Sequence, residues 1–352
     1  SFHCRTSATK TLKGQTCVGQ LLFEDNFDTF NLERWHHEIS ASGGRYHEFQ
    51  MFVNNRSNSF VQNGILHIRP TFTEDVFGQD ALYNGILDLR GSALSGEKCT
   101  NPVNNGCYKH AVGSQILNPI ISAQLYTSES FTFQYGIVSV RAKMPKGDWL
   151  WPAIYLLPHQ NAYGPWPNSG QITIVQSRGN SRYSVNSESL GVERVEMGLQ
   201  LGPGQNGIIQ KHIYAKDGDD WNSGFHNFDV EWTPENIKFS IDGEPKWNIT
   251  PSLGGGFGSA AGLNQEFNRN VDNSGSIMAP FDQQFYLVIS LAVGGISDYF
   301  PDKSGNVHYK KPWNNTSPSA MLDFWESKDH WYPTWQGSLD FQVDYVRVWS
   351  LP

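Results

Sequence analysis

Ser169-Gly170-Gln171-Ile172-Thr173-Ile174-Val175-Gln176-Ser177-Arg178-Gly179-Asn180 is the stretch from which this chain is best read. Side chains alternate between the two faces of a β-strand, so Gln171 and Thr173 share a face. Gln176 stands an odd number of residues from Gln171, and a regular strand would turn it the other way. A β-bulge near Val175 would return it to the face of Gln171 and Thr173, and bulges are common beside functional sites.

The rest of the chain reads as strands and turns. Its 352 residues suffice for one large all-β domain or two ordinary ones. Charged residues are only 17% and aromatic residues 13%, with 34 Gly and 18 Pro, a balance that favours strands over long amphipathic helices. Asn63-Gly64 between Phe60-Val61 and Ile65-Leu66-His67-Ile68 is a two-residue hairpin signal. Tyr135 to Met144 alternates over much of its length. Phe228 to Trp232 and Ile237 to Ile241 flank the turn Thr233-Pro234-Glu235-Asn236, and Asp242-Gly243 opens the next turn. Phe285 to Val293 is almost wholly apolar, as in a strand buried on both faces, and Phe341 to Trp349 closes the chain with another strand. The expectation is an all-β, two-sheet antiparallel sandwich. Residues 1–19 form a small arm, residues 20–352 one domain, and the Gly- and Asn-rich residues 253–277 a long surface loop.

A net charge of −8 with no long basic run argues against nucleic acid as a partner. No stretch approaches the roughly 18 apolar residues of a membrane span. The four cysteines fall in two close pairs, Cys4 with Cys17 and Cys99 with Cys107, which suits two disulfides closing short loops. Four reduced thiols are the alternative. A zinc site fits less well, because nearby histidines lack ligand-like spacing. Asn55, Asn248, Asn314 and Asn315 each begin a glycosylation sequon. The chain opens with Ser1 and shows no basic-then-apolar leader, as a mature, processed, secreted chain would.

The segment 169–180 resembles the S-G-E-I-D-I-x-E-x-R-G-N signature of glycoside hydrolase family 16. Its i, i+2, i+5 spacing is that of the laminarinase-like β-1,3-glucanases. The resemblance extends through Ser122-Ala123-Gln124-Leu125, Arg141-Ala142-Lys143, Asp148 to Ile154, Phe225-His226 through Pro234, Ala292-Val293-Gly294-Gly295 and Val343 to Trp349. Phe49-Gln50 with residues 54–59 and Lys143 to Ala153 is similar to the invertebrate β-1,3-glucan-binding and Gram-negative-bacteria-binding proteins. The separate N-terminal glucan-binding module of the insect members is not seen in this sequence. The resemblance implies a jelly-roll, concanavalin-like sandwich with a concave cleft. It also implies that Gln171, Thr173 and Gln176 stand where the family has its nucleophile, orienting Asp and general acid/base. The chain is then expected to have no catalytic residues and no cofactor for chemistry, and to bind β-glucan or a related polysaccharide as a secreted pattern-recognition lectin.

The resemblance further implies that Trp151 and Trp166 line the cleft, with Asn54, Arg56 and His226 as polar contacts and Arg178 as a support. Sugar rings present flat C–H faces that pack on aromatic side chains, and Trp149, Trp151, Tyr155, Tyr163 and Trp166 cluster just before the altered strand. A structural calcium ion would take Glu24, the Gly64 carbonyl and Asp344. Two alternatives stay open. One is an endo-β-1,3-glucanase using displaced carboxylates such as Asp148 or Glu188. The other is a structural, storage or matrix protein. Two departures favour the latter: Tyr135-Gly136-Ile137-Val138-Ser139 lacks the family's Arg and Glu, and Gly44-Arg45-Tyr46-His47-Glu48-Phe49-Gln50 alters its G-N-x-E-F-Q text.

Overall fold

Alternation builds the outer sheet. Ile237–Ile241 buries every second residue, and His226–Trp232 buries Phe228, Val230 and Trp232. The computed structural model describes residues 3–91, 98–202, 207–253, 255–260 and 276–352. Across the outer sheet the strands run Glu244–Ile249, Ile237–Ile241, His226–Trp232, Gly136–Lys143, Phe341–Trp349, Ile65–Ile68, Ser59–Gln62, with Leu21–Asp25 also on Phe341–Trp349. Two of its turns are set by residues that tolerate positive φ. Asn63 (φ 54°) and Gly64 (φ 74°) join strands that pair Gln62 with Ile65, and Asp242 (φ 51°) and Gly243 (φ 80°) join Ile241 to Glu244.

The second sheet runs Gly14–Cys17, Thr6–Thr11, Phe133–Gln134, Phe285–Val293, Leu150–Pro158, Gln171–Ser177, Arg194–Gln200, Ile208–Tyr214. Here alternation fades. Phe285–Val293 has one residue short of full burial and Arg194–Gln200 has none: one face packs on the core, and the other, with Val288, Ser290 and Ala292, lines a concave cleft. Between the sheets lies a continuous core that includes Trp35, Trp149 and Trp232, each at most 1% exposed. Helices are short. Ala320–Glu326, the longest described, brings Phe324 to stack on Trp331 at 4.6 Å.

The N-terminal arm is part of this architecture. Its hairpin continues the second sheet through Lys10↔Gln134 and Thr11↔Phe133. It also grips the chain's end, since Ser7 donates to the Leu351 carbonyl and Leu351 N–H to Thr9 Oγ1. Of the expected loop 253–277, residues 254 and 261–275 lie outside the described residues, and Gly256–Ala260 is a short helix.

Asn248 and Asn314 are exposed and Asn55 is half-buried. Asn315 is engaged internally. Its amide donates to the carbonyls of Ser297 and Phe300 and its oxygen accepts from Trp313 and Lys311, leaving the nitrogen no room for a glycan.

Both disulfides form, with Cα–Cα separations of 5.5 Å for Cys4 with Cys17 and 5.6 Å for Cys99 with Cys107. Each closes a short loop and should stabilise the fold by roughly 2–3 kcal/mol in the chain-entropy account. Non-reducing peptide mapping should recover these two links, and urea unfolding should shift to lower midpoint on reduction. Crossed links or free thiols would contradict the fold described.

Candidate functional site

The expected bulge is present. Toward Leu150–Pro158 the register passes from Thr173↔Tyr155 to Val175↔Ile154, skipping Ile174. Toward Arg194–Gln200 it passes from Thr173↔Gly198 to Gln176↔Glu196, with one residue too many on the bulged strand. Ile174 and Val175 are both buried in the core. Gln176 thereby joins Gln171 and Thr173 on the floor of a cleft of about 790 Å³.

Each floor residue has a partner. Trp166 Nε1 donates to Gln171 Oε1 at 3.0 Å, and Gln171 Nε2 donates to Thr173 Oγ1 at 3.0 Å. Trp151 Nε1 donates to Gln176 Oε1 at 3.1 Å. Farther along, Tyr155 donates to Gln124 Oε1, and Tyr126, Tyr286 and Ser290 extend the lining.

Trp151 is only 9% exposed. Tyr299 stacks on it at 4.1 Å and 13°, and Tyr46 at 5.8 Å and 25°. Arg178 lies over Tyr299 at 3.7 Å and donates to its carbonyl. Arg178 also meets the fully buried Glu196 at 2.5 Å, Arg194 meets the same carboxylate at 3.2 Å, and Tyr299 donates to it at 3.0 Å. Two carboxylates, the buried Glu196 and the more exposed Glu188 at 3.0 Å from Arg194, thus balance two buried guanidinium groups, and Glu196 fixes the aromatic wall.

Opposite that wall, residues 43–48 cross the cleft. Glu48 accepts from the backbone N–H groups of Arg45 and Tyr46, each at 3.1 Å, and from Gln50 Nε2. Gly44 has φ +62°, and a Cβ there would meet Glu48 Oε1 at 2.3 Å, so the loop requires glycine. The Arg45 guanidinium lies over Trp166 at 4.6 Å, and Gln200 Nε2 donates to the Tyr46 hydroxyl at 3.0 Å. Burial pushes Glu48 up to about 7, against the pull of its hydrogen bonds and of Arg45, and burial likewise raises Glu38.

Gln171, Thr173, Gln176, Trp151, Trp166 and Arg178 all line the cleft. Asn54, Arg56 and His226 are placed elsewhere. Arg56 donates to Asn54 and lies over Phe30 at 4.7 Å. His226 sits in the outer sheet, bonded to Asp242 at 2.7 Å and edge-on to Trp221. Trp149 is core, 1% exposed among Tyr183, Phe300 and Trp313. Tyr163 donates to Asp282. Sequence reasoning singled out neither Tyr46, Tyr299, Gln200 nor Glu196. The altered text at 44–50 contains Tyr46 but gives it no role.

The residues assigned to calcium do not fit it. Glu24 pairs with Arg347 at 3.1 Å and Asp344 with Arg141 at 3.0 Å, so both carboxylates already face a fixed cation. Among the described residues no three His, Cys, Asp or Glu side chains group for a metal.

Comparison with known proteins agrees with this geometry. Residues 119–253 match the family Glycosyl hydrolases family 16. A β-1,3-glucan-binding protein of Penaeus monodon is 40% identical over 360 residues, which cover 99% of this chain and 95% of that protein. The chain belongs to the β-1,3-glucan-binding proteins of glycosyl hydrolase family 16. β-1,3-Glucan-binding protein 1 of Galleria mellonella is 36% identical over 359 residues, covering 100% of this chain and 68% of that protein. Among solved structures, the laminarinase from Rhodothermus marinus shares the fold at a TM-score of 0.58 and 20% identity, over 94% of this chain and 97% of that one.

Two measurements test the electrostatics of this family member's cleft. Glu196→Ala would leave Arg178 buried without a counter-charge, Arg194 keeping Glu188, and should cost roughly 3–5 kcal/mol in urea unfolding. A loss under about 1 kcal/mol would show that the pair holds nothing. Glu48 has a folded pKa above its ordinary 4.5, so the fold binds its proton more tightly than the unfolded chain does. Its carboxyl costs nothing below about pH 4.5, and ionisation destabilises the fold progressively up to about pH 7 and fully above, on the order of 3 kcal/mol. Glu48→Gln should therefore flatten the decline in melting temperature between about pH 5 and pH 8. Equal slopes in the two proteins would remove Glu48 as the cause.

Proposed function

We propose that the chain is a secreted, non-hydrolytic β-1,3-glucan-binding protein that acts in polysaccharide recognition. The floor of the cleft carries this reading. The positions that the family resemblance gives to nucleophile, orienting acid and general acid/base come together as Gln171, Thr173 and Gln176. Retaining hydrolysis needs two carboxyl groups about 5–5.5 Å apart, one ionised and one protonated. An amide neither attacks an anomeric carbon nor carries a proton at neutral pH.

The carboxylates elsewhere do not substitute. Asp148 is buried against Asn306, and Glu188 pairs with Arg194; neither lines the cleft. Glu38, Glu48 and Asp298 line it, but none stands on the strand of the signature; Glu48's oxygens are held by backbone N–H groups and Gln50, and Glu38 accepts from Ser40. What the cleft offers instead is recognition. Amides and hydroxyls both donate and accept toward sugar hydroxyls, and indole supplies an apolar face. The names of the Penaeus and Galleria relatives support the ligand class, and two disulfides with exposed sequons at Asn248 and Asn314 support secretion.

The purified chain should release no reducing sugar from laminarin above the protein-free baseline from about pH 4 to pH 8. It should bind laminarin in calorimetry, and Trp166→Ala should weaken that binding by roughly 1–3 kcal/mol through the lost aromatic contact. The closed-in Trp151 favours a second reading, a structural or matrix protein. That reading would prevail if the wild type bound no laminarin and the triple variant Gln171→Glu, Thr173→Asp, Gln176→Glu stayed inert.

A further inference from the structure

Tyr46 fills part of the cleft beside both indoles that line it. Its ring lies near-parallel to Trp151 at 5.8 Å and edge-on to Trp166 at 6.0 Å. Those two indoles donate to the floor amides Gln176 and Gln171, so the tyrosine stands beside the floor on which a glycosidic bond would rest. The backbone of the loop is fixed by Glu48, whose carboxylate accepts from Arg45 and Tyr46 N–H and whose own N–H donates to the Gly43 carbonyl, and by Ile296 N–H donating to the Tyr46 carbonyl. The Tyr46 side chain is held less: Gln200 donates to its hydroxyl, and Arg45 rests on the neighbouring Trp166. Gly43, Gly44 and His47, all at positive φ, bend the backbone around this latch.

We propose that Tyr46 is a specificity-determining plug, a side chain seated in the central sugar position that a glucan must displace, so that the cleft selects long β-1,3-glucan over short oligosaccharides. This rests on the glucan-binding reading above. Displacing the Tyr46 side chain costs a fixed free energy whatever the ligand, and apparent affinity falls by the fraction of molecules in which the site is open. A short oligosaccharide gains only the central contacts and bears the whole cost. A long chain also contacts the lining on both sides, from Tyr126 and Tyr286 at one end to Gly198 and Gln210 at the other, and offsets it. The specificity is for length, and its origin is a residue that makes no favourable contact with the ligand.

Calorimetric titration of laminaritriose and laminarin into wild type, Tyr46→Ala and Tyr46→Phe tests this. Wild type should bind laminarin and bind laminaritriose poorly. Tyr46→Ala should tighten laminaritriose about tenfold, the change expected when a tenth-populated open state becomes dominant, and should tighten laminarin less. Tyr46→Phe keeps the ring and loses only the bond from Gln200, which guards against a fold defect in the alanine variant. It should tighten laminaritriose by about three- to fourfold, the rise in open fraction when the closed state loses one net hydrogen bond. Unchanged or weaker laminaritriose binding in both variants, with laminarin still bound, overturns the plug and leaves the glucan-binding reading standing. Binding of neither sugar by any of the three proteins overturns both.

Discussion

The bulge at Ile174 and Val175 is the constraint on which the site depends. Without the extra residue, Gln176 would point into the core and Val175 would lie on the cleft floor. With it, two apolar residues go inward in succession, and Gln171, Thr173 and Gln176 share the floor. The same shift sets Glu196 opposite Gln176. Glu196 is where Arg178, Arg194 and Tyr299 converge, so the geometry of the floor and the rigidity of the wall have a common origin in one irregular strand.

Charge is distributed unevenly around that strand. The floor is neutral, while one strand away a carboxylate with 0% exposure is matched by two arginines that are themselves almost fully buried. Such a cluster is costly to desolvate, but removing Glu196 is costlier, because Arg178 is then left buried and uncompensated. It therefore holds Tyr299 against Trp151 firmly. The facing loop has no such ion-pair anchor. Backbone hydrogen bonds fix its main chain, Ile296 N–H to the Tyr46 carbonyl and Glu48 N–H to the Gly43 carbonyl, while the Tyr46 side chain is held by one phenol hydrogen bond and its ring contacts. One side of the cleft is built to stay and on the other a side chain can move, which is the asymmetry a displaceable plug requires.

Much of the fold was legible because it rests on local chemistry. Asn63-Gly64 and Asp242-Gly243 announce hairpins through their tolerance of positive φ, and the odd spacing of Gln176 announces a bulge through strand periodicity alone. The site was only partly legible, because its aromatic wall is assembled from distant segments. Trp149 and Trp151 are neighbours of the same strand region, yet one is core and the other borders the cleft. What closes Trp151 comes from Tyr46 and Tyr299, more than a hundred residues away on either side, and no local pattern marks them. Asn54, Arg56 and His226 match family text but are engaged outside the cleft, His226 by Asp242 across the next hairpin. The expected calcium ligands failed for the same reason. Sequence shows Glu24 and Asp344 as oxygen donors, but not the arginines that face them.

The amides at 171 and 176 explain how such a chain keeps its architecture. Each indole N–H needs an acceptor oxygen, and a carboxamide provides one in nearly the same position as a carboxylate. The fold therefore does not register whether the floor is ionised. What changes is the remainder of the group. An anion that would repel an electron-rich hydroxyl oxygen becomes a donor of two N–H bonds, one of which Gln171 directs to Thr173 Oγ1. The hydroxyl of Thr173 completes that link as the acceptor. The floor is consistent as a hydrogen-bonding surface, and consistency among adjacent polar groups is what keeps a half-buried network from destabilising the sheet around it. Once charge no longer governs the cleft, selectivity falls to shape, and shape here is set by which aromatic ring, Tyr46 or a sugar's partner, holds the space beside Trp151.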